Sequence, residues 1–123
     1  MRPILLALIA LFLSCRKDPD VVAGPERTEI AFLLPNGLAY DGCEEMIRLQ
    51  ADSSLNTFTG YRPTLSTLPI LQQALNDIPP NPTSLNRMAI VRFFETGKQA
   101  VLQCGWGSRT EVPEIEVLEI TAP

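Results

Sequence analysis

Beyond residue 28 the chain is built mostly of short apolar runs of period two, broken by strong turn signals. Ile30, Phe32 and Leu34 alternate with Glu29, Ala31 and Leu33 up to Pro35-Asn36-Gly37, which predicts a first strand ending in a turn. Ile47 and Leu49 alternate with Arg48 and Gln50 in a second strand. Cys43 keeps the same odd parity, which directs its sulfur toward the core. A third strand rich in threonine and aromatics is expected over about Thr57 to Pro63, reached through Asp52-Ser53-Ser54 as a hairpin loop.

The period then changes. Ile70, Leu71, Ala74, Leu75 and Ile78 recur on one helical stripe, so Leu68 to Ile78 reads as a helix, with Thr67 as its cap and Pro69 in its first turn. Pro79 and Pro80 stop it, and Asn81 to Asn86 is a loop. Met88 to Glu95 is the strongest strand pattern, with Ala89, Val91 and Phe93 on one face and Met88, Ile90 and Phe94 on the other; this predicts a central strand covered on both sides. Thr96-Gly97-Lys98 reads as a hairpin turn into Gln99 to Cys104, where Ala100, Leu102 and Cys104 share a face. After Gly105-Trp106-Gly107, a last strand is expected from about Glu114 to Ile120, with a β-bulge where the phase changes at Val117-Leu118.

The first fifteen residues follow a different logic. One positive charge at Arg2, ten apolar residues from Ile4 to Leu13 and a small residue before Cys15 give the order of a secretory signal. The apolar run is about half of the roughly 20 residues a helix needs to cross a bilayer. Leu11-Phe12-Leu13-Ser14-Cys15 resembles the signal of a bacterial lipoprotein. The resemblance implies removal of residues 1–14, several acyl chains on Cys15 and stable attachment to membrane lipid; an ordinary cleaved signal is the alternative. Because Arg16 rather than Asp follows the cysteine, the same resemblance implies an outer-membrane lipoprotein. Residues 16 to 27 hold two prolines, a glycine and six charges, so residues 15–27 read as the lipidated cysteine and a flexible tether. Residues 28–121 form a single domain.

Composition narrows the function. Without residues 1–14, 109 of the 123 residues remain, enough for one small core. The formal charge of −4 becomes −5 when Arg2 is lost, and an acidic domain of this kind is a poor match for a phosphate backbone, so no nucleic-acid partner is expected. With Cys15 assigned to lipid, Cys43 and Cys104 are left as an even pair in an oxidising compartment and are expected to form a disulfide. Closing a loop of about sixty residues would stabilise the fold by roughly 4 kcal/mol on the chain-entropy account. Metal binding is the rival, but the chain has no histidine and no C-x-x-C spacing. No cofactor is expected.

Three strands, a short helix and two or three more strands give the order of a small five- to six-stranded OB-like barrel with its helix between strands 3 and 4. Cys43 before a strand, Tyr61-Arg62-Pro63, Leu68-Pro69 before the helix, and Cys104 ahead of Ile115 to Ile120 make the body similar to a group of small OB-like lipoproteins of unknown function from Gram-negative bacteria. A β-sandwich or a ferredoxin-like α+β domain is the alternative.

Candidate chemistry is sparse. Glycoside hydrolysis needs two facing carboxylates, but alternation sets Glu114 and Glu116 opposite Ile115 and Val117, and neither they nor Glu119 are expected to leave a solvated face. Glu44 and Glu45 are adjacent, which in a strand sends them to opposite faces. A serine or cysteine nucleophile lacks a histidine base, and Gly105-Trp106-Gly107 lacks the strand-to-helix setting of a phosphate loop. Recognition is the better reading, and no enzymatic activity is expected. Trp106 and Arg109 sit in a glycine-flanked loop of hot-spot composition, although Trp106 folded back over the end of a barrel is the competing expectation. Tyr61, Arg62 and Arg48 would line a shallow site on the second and third strands, by analogy with OB domains. The sequence thus points to a lipid-anchored, non-catalytic binding or interaction module of the cell envelope, its partner an envelope protein or a small ligand. An inhibitor of a secreted protease or lysozyme is the second reading, and an envelope hydrolase the third.

Overall fold

The structure, a computed structural model, describes residues 22–52, 60–83 and 87–123. The expected leader, Cys15 and most of the tether lie outside the described residues, as do 53–59 of the expected third strand and its loop.

Among the described residues five strands form one sheet: β1 (Arg27–Leu34), β2 (Met46–Leu49), β3 (Arg62–Pro63), β4 (Arg87–Gln103) and β5 (Arg109–Thr121), in the order β2-β1-β4-β5-β3. One helix, α1 (Leu68–Asp77), lies between β3 and β4 where the apolar stripe placed it. All pairings are antiparallel except β3 with β5. The domain is mainly β, but the sheet is not closed into a barrel as expected. Among the described residues its two edges touch at a single pair, Ile47 and Tyr61, which exchange both backbone hydrogen bonds at 3.0 and 2.8 Å. β1 begins at Arg27, and the Gly24 N–H already donates to the Glu95 carbonyl at 2.7 Å, so backbone order extends into the segment read as tether.

The main core joins Leu33, Ile47, Leu49, Val91, Phe93, Ile115 and Val117 from the sheet to Leu71 and Ala74 of α1. In β1 the inward set is Ala31 and Leu33, whereas Ile30 is 45% exposed. The paired Ala31 and Ala89, both fully buried, make the middle of this face shallow and leave space for the helix stripe. Two expectations fail here. β4 is covered on one face only: Ala89, Val91 and Phe93 are buried while Met88 is exposed and Ile90 and Phe94 are half-exposed, because the single helix packs on one side of the sheet. Thr67 does not cap α1 with its side chain. Its Oγ1 instead accepts the Val117 N–H at 3.2 Å and bonds Thr64 Oγ1 at 2.7 Å, fastening the helix start to β5. The far end is held by Arg87, whose Nε donates to the Ile78 carbonyl at 2.9 Å.

The larger correction concerns Thr96-Gly97-Lys98. It is not a hairpin turn but an irregularity inside one 17-residue strand, where the register with β5 shifts between Glu95 and Gln99 and Gly97 takes a φ of 84°. Glycine adopts that conformation without a Cβ penalty, and the strand bends there instead of reversing. The true reversal is Gly105–Gly107, so β4 and β5 form one long hairpin. The bulge expected near Val117-Leu118 is present: Arg92 pairs with Glu119 and Phe93 with Val117, leaving Leu118 as the extra residue.

Beyond the bend, the end of β4 leaves β1 and runs beside the segment before β2: Glu44 N–H donates to the Gln103 carbonyl at 2.9 Å and Gly105 N–H to the Gly42 carbonyl at 2.8 Å. A second, smaller core of Met46, Leu102 and Val112 fills this region, with Leu34, Cys43 and Cys104 at its margin. Cys43 therefore does not share the core of Ile47 and Leu49, because the bend at Glu44-Glu45 breaks the alternation between them.

Leu71 is fully buried and joins α1 to the sheet. Leu71→Ala should lower stability by about 3 kcal/mol, read from the urea midpoint at unchanged slope; a loss below 1 kcal/mol would mean that the helix contributes little to the core.

Candidate functional site

The disulfide expected from the sequence is present. Cys43 and Cys104 face each other as an antiparallel pair with Cα atoms 3.8 Å apart, and the flanking residues rather than the cysteines make the cross-strand hydrogen bonds. In such a non-hydrogen-bonded pair the side chains lie close, which suits a bridge between strands.

The bridge fastens two turns to each other. The first spans Pro35 to Gly42 and contains a single 3-10 turn at Leu38–Tyr40. Asn36 Oδ1 accepts the Leu38 N–H at 3.0 Å, and the Gly37 carbonyl accepts from Tyr40 and Gly42 at 2.9 and 2.8 Å. The second is Gly105–Gly107, closed by Cys104 N–H donating to the Ser108 carbonyl at 2.8 Å. They meet where Gly105 lies against Asp41: a Cβ on Gly105 would fall 2.6 Å from the Asp41 Cα, so only glycine fits.

Each turn presents one aromatic ring. Trp106 is 91% exposed and Tyr40 is 89% exposed. Trp106 does not fold back over the sheet. Its backbone is left-handed, with φ 63° and ψ 23°, a conformation that costs a residue bearing a Cβ about 1 kcal/mol or more. Asp41, next to Tyr40, has φ 63° as well. A bulky residue held this way with its ring in solvent gains no burial to offset the cost. Strain of this kind gathers at binding and catalytic positions. Arg109 is exposed directly after the turn, so the expected pair of Trp106 and Arg109 does share one end of the molecule. Tyr40 was not apparent from the sequence. Its signal was an aromatic inside a Gly- and Asp-flanked turn between two strands, the same pattern that marks Trp106.

The other three expected site residues do not converge. Tyr61 lies against the main core, its ring 6.1 Å from that of Phe93, with its hydroxyl 3.5 Å from Asp52 Oδ2. Burial, then the Asp52 charge, raises its pKa. Arg48, between inward Ile47 and Leu49, belongs to the opposite face of β2. Arg62 is only 8% exposed and is used up internally. Its Nη1 bonds the Glu45 carbonyl and lies 3.2 Å from Glu45 Oε1, while Nη2 donates to Glu44 Oε2 at 3.0 Å. Glu44 Oε1 in turn accepts the Gln103 N–H at 2.9 Å. Adjacent Glu44 and Glu45 were expected on opposite faces; they close on one guanidinium because they form a bend before β2 rather than part of it. A buried cation ringed by two carboxylates and a carbonyl braces the structure beneath the turns and is not open to a ligand. Glu114 receives the Thr96 hydroxyl at 3.0 Å and Glu119 pairs with Arg92 at 3.5 Å, so these carboxylates do not face each other as a hydrolytic pair. No protein-family model, curated protein or solved structure matches the chain.

Trp106→Gly removes an exposed ring and relieves a left-handed backbone, so it should leave stability unchanged or raise it by up to about 1 kcal/mol; a drop larger than that in chemical denaturation would show that the ring packs. The raised Tyr61 pKa makes the folded state hold its phenol proton longer than the unfolded state does. Stability from this source is complete below the unfolded value of 10.0 and is lost as pH rises through the folded one. Tyr61→Phe should therefore flatten the alkaline fall in stability, and an unchanged profile above pH 10 would disprove it.

Proposed function

We propose that the chain is a non-catalytic binding module of the bacterial cell envelope, attached by acyl chains on Cys15 as an outer-membrane lipoprotein, which engages its partner through the Tyr40 and Trp106 turns. The observation that carries this reading is the pair of almost fully exposed aromatics on two turns joined by a disulfide. Tryptophan, tyrosine and arginine dominate binding hot spots, and here Trp106, Tyr40 and Arg109 occupy one end of the molecule. Rigid presentation lowers the ordering cost that association would otherwise carry. Nothing lies within 4 Å of a Cβ placed on Gly107, in keeping with a projecting end that enters a concavity on its partner.

Parallel β3–β5 pairing, the helix between β3 and β4 and the Ile47–Tyr61 bridge support an OB-like reading of the open sheet. The acidic balance of the chain supports a partner other than nucleic acid.

A second reading has an observation in its favour. A projecting, disulfide-braced turn is also a form suited to blocking the cleft of a secreted protease or lysozyme, and Trp106 would be the blocking residue. Inhibition assays against a panel of such enzymes separate the two readings.

Cross-linking the intact protein in its native envelope should yield a discrete adduct. Trp106→Gly or Tyr40→Ala should abolish it while the fold is kept; the same adduct at full yield in both variants would sink the proposal. Intact mass of the membrane-purified chain tests the anchor, with an acylated N-terminus at Cys15 expected and a chain still beginning at Met1 as the contrary result.

A further inference from the structure

Away from the aromatic turns, α1 and the end of β5 enclose a trough of about 530 Å³. Its floor and walls are Ile70, Ala74 and Ile78 of the helix side and Ile120 of β5, while Gln73 and Asp77 form a polar rim. These helix positions follow one stripe from the first turn of α1 to just past its last residue. The lining therefore runs along the helix from Pro69 to Ile78, nine rises of 1.5 Å or about 13.5 Å. Its size lies in the range of small-molecule sites, roughly 300–1,000 Å³, and its mostly apolar lining with a few fixed polar groups is their usual chemistry.

We propose that this trough binds a single unbranched alkyl chain that carries a cationic head. The length selects the tail. An extended chain gains about 3.5 Å for every three bonds, so a span of about 13.5 Å holds about 11 or 12 bonds, which is the length of a dodecyl chain. The charge selects the head. Among the described residues, Asp77 is the one charged residue lining the trough, and its two oxygens receive the Gln73 amide at 2.9 and 3.0 Å, which holds the carboxylate along the rim. Arg87, which binds the Ile78 carbonyl at the same end of the helix, does not line it. An ammonium head beside Asp77 is matched by opposite charge, and a sulfate or carboxylate head is opposed. The site is independent of the aromatic turns, so Trp106→Gly should leave it intact.

The test is an NMR titration of the intact protein with dodecyltrimethylammonium below its micelle concentration, with dodecyl sulfate and dodecyl maltoside as the other arms. Saturable one-to-one binding is expected, with shifts confined to Ile70, Ala74, Ile78, Ile120 and their neighbours. Affinity for the ammonium should exceed that for the sulfate by up to about fivefold, the scale of an exposed ion pair. Asp77→Asn should erase that preference without removing binding. Ala122→Trp, at an exposed rim position near the chain end, should block all three ligands with the fold retained. Shifts spread over the whole surface, equal affinity for all three heads in the wild type, or undiminished binding by Ala122→Trp would each overturn the proposal. So would the same shifts appearing on concentration alone, which would assign the trough to a second copy of the chain.

Discussion

The bend at residues 96–98 is the constraint on which the arrangement depends. A straight hairpin as long as β4 and β5 would carry its tip far beyond the rest of the sheet, since each strand residue advances about 3.3 Å. Because the ladder slips between Glu95 and Gln99, the distal half turns and lies beside the segment before β2. Only then can Cys104 meet Cys43, Glu44 reach the Gln103 N–H and Gly105 settle against Asp41. The position of Trp106 is thus decided by a glycine nine residues earlier.

The bend also divides the apolar interior. Among the described residues, eleven buried side chains surround α1 and the proximal sheet, whereas the distal cluster has three. At about 1.5–3 kcal/mol for each large buried side chain, the distal cluster alone is weakly held. The disulfide and the Arg62 clamp supply what the missing apolar contacts do not. Polar and covalent restraints hold the end that presents aromatics to solvent, and apolar packing holds the end that carries the helix.

Several features were legible in the sequence because a local pattern decides them. The helix followed from its stripe and its prolines, the bulge at Leu118 from a change of phase, and the disulfide from cysteine number, although the parity argument for Cys43 did not hold. Others depend on tertiary context. Thr96-Gly97-Lys98 has the composition of a turn, and only the partner strand determines whether such a glycine reverses a chain or bends it. Ile30 and Phe32 are larger than Ala31, yet the helix needs the small residue inside, so size misleads about which face of β1 is buried. Arg62 carries the composition of a binding residue, but its two acidic partners sit 17 and 18 positions away and no spacing rule connects them. Tyr40 carries no signal of its own in the sequence, because a lone aromatic in a loop acquires meaning only beside a second one.

The Cys43–Cys104 link also has a topological effect. The covalent ring it closes contains β2, β3, α1 and β4, while β1 and β5 lie outside it. A protease that cut the backbone anywhere from Glu44 to Gln103 would open the ring without releasing a fragment. The nicked product would gain only the mass of one water until a reductant separated the halves. Damage anywhere across about half the length of the chain is thus survived as a single particle, with both aromatic turns still fastened together.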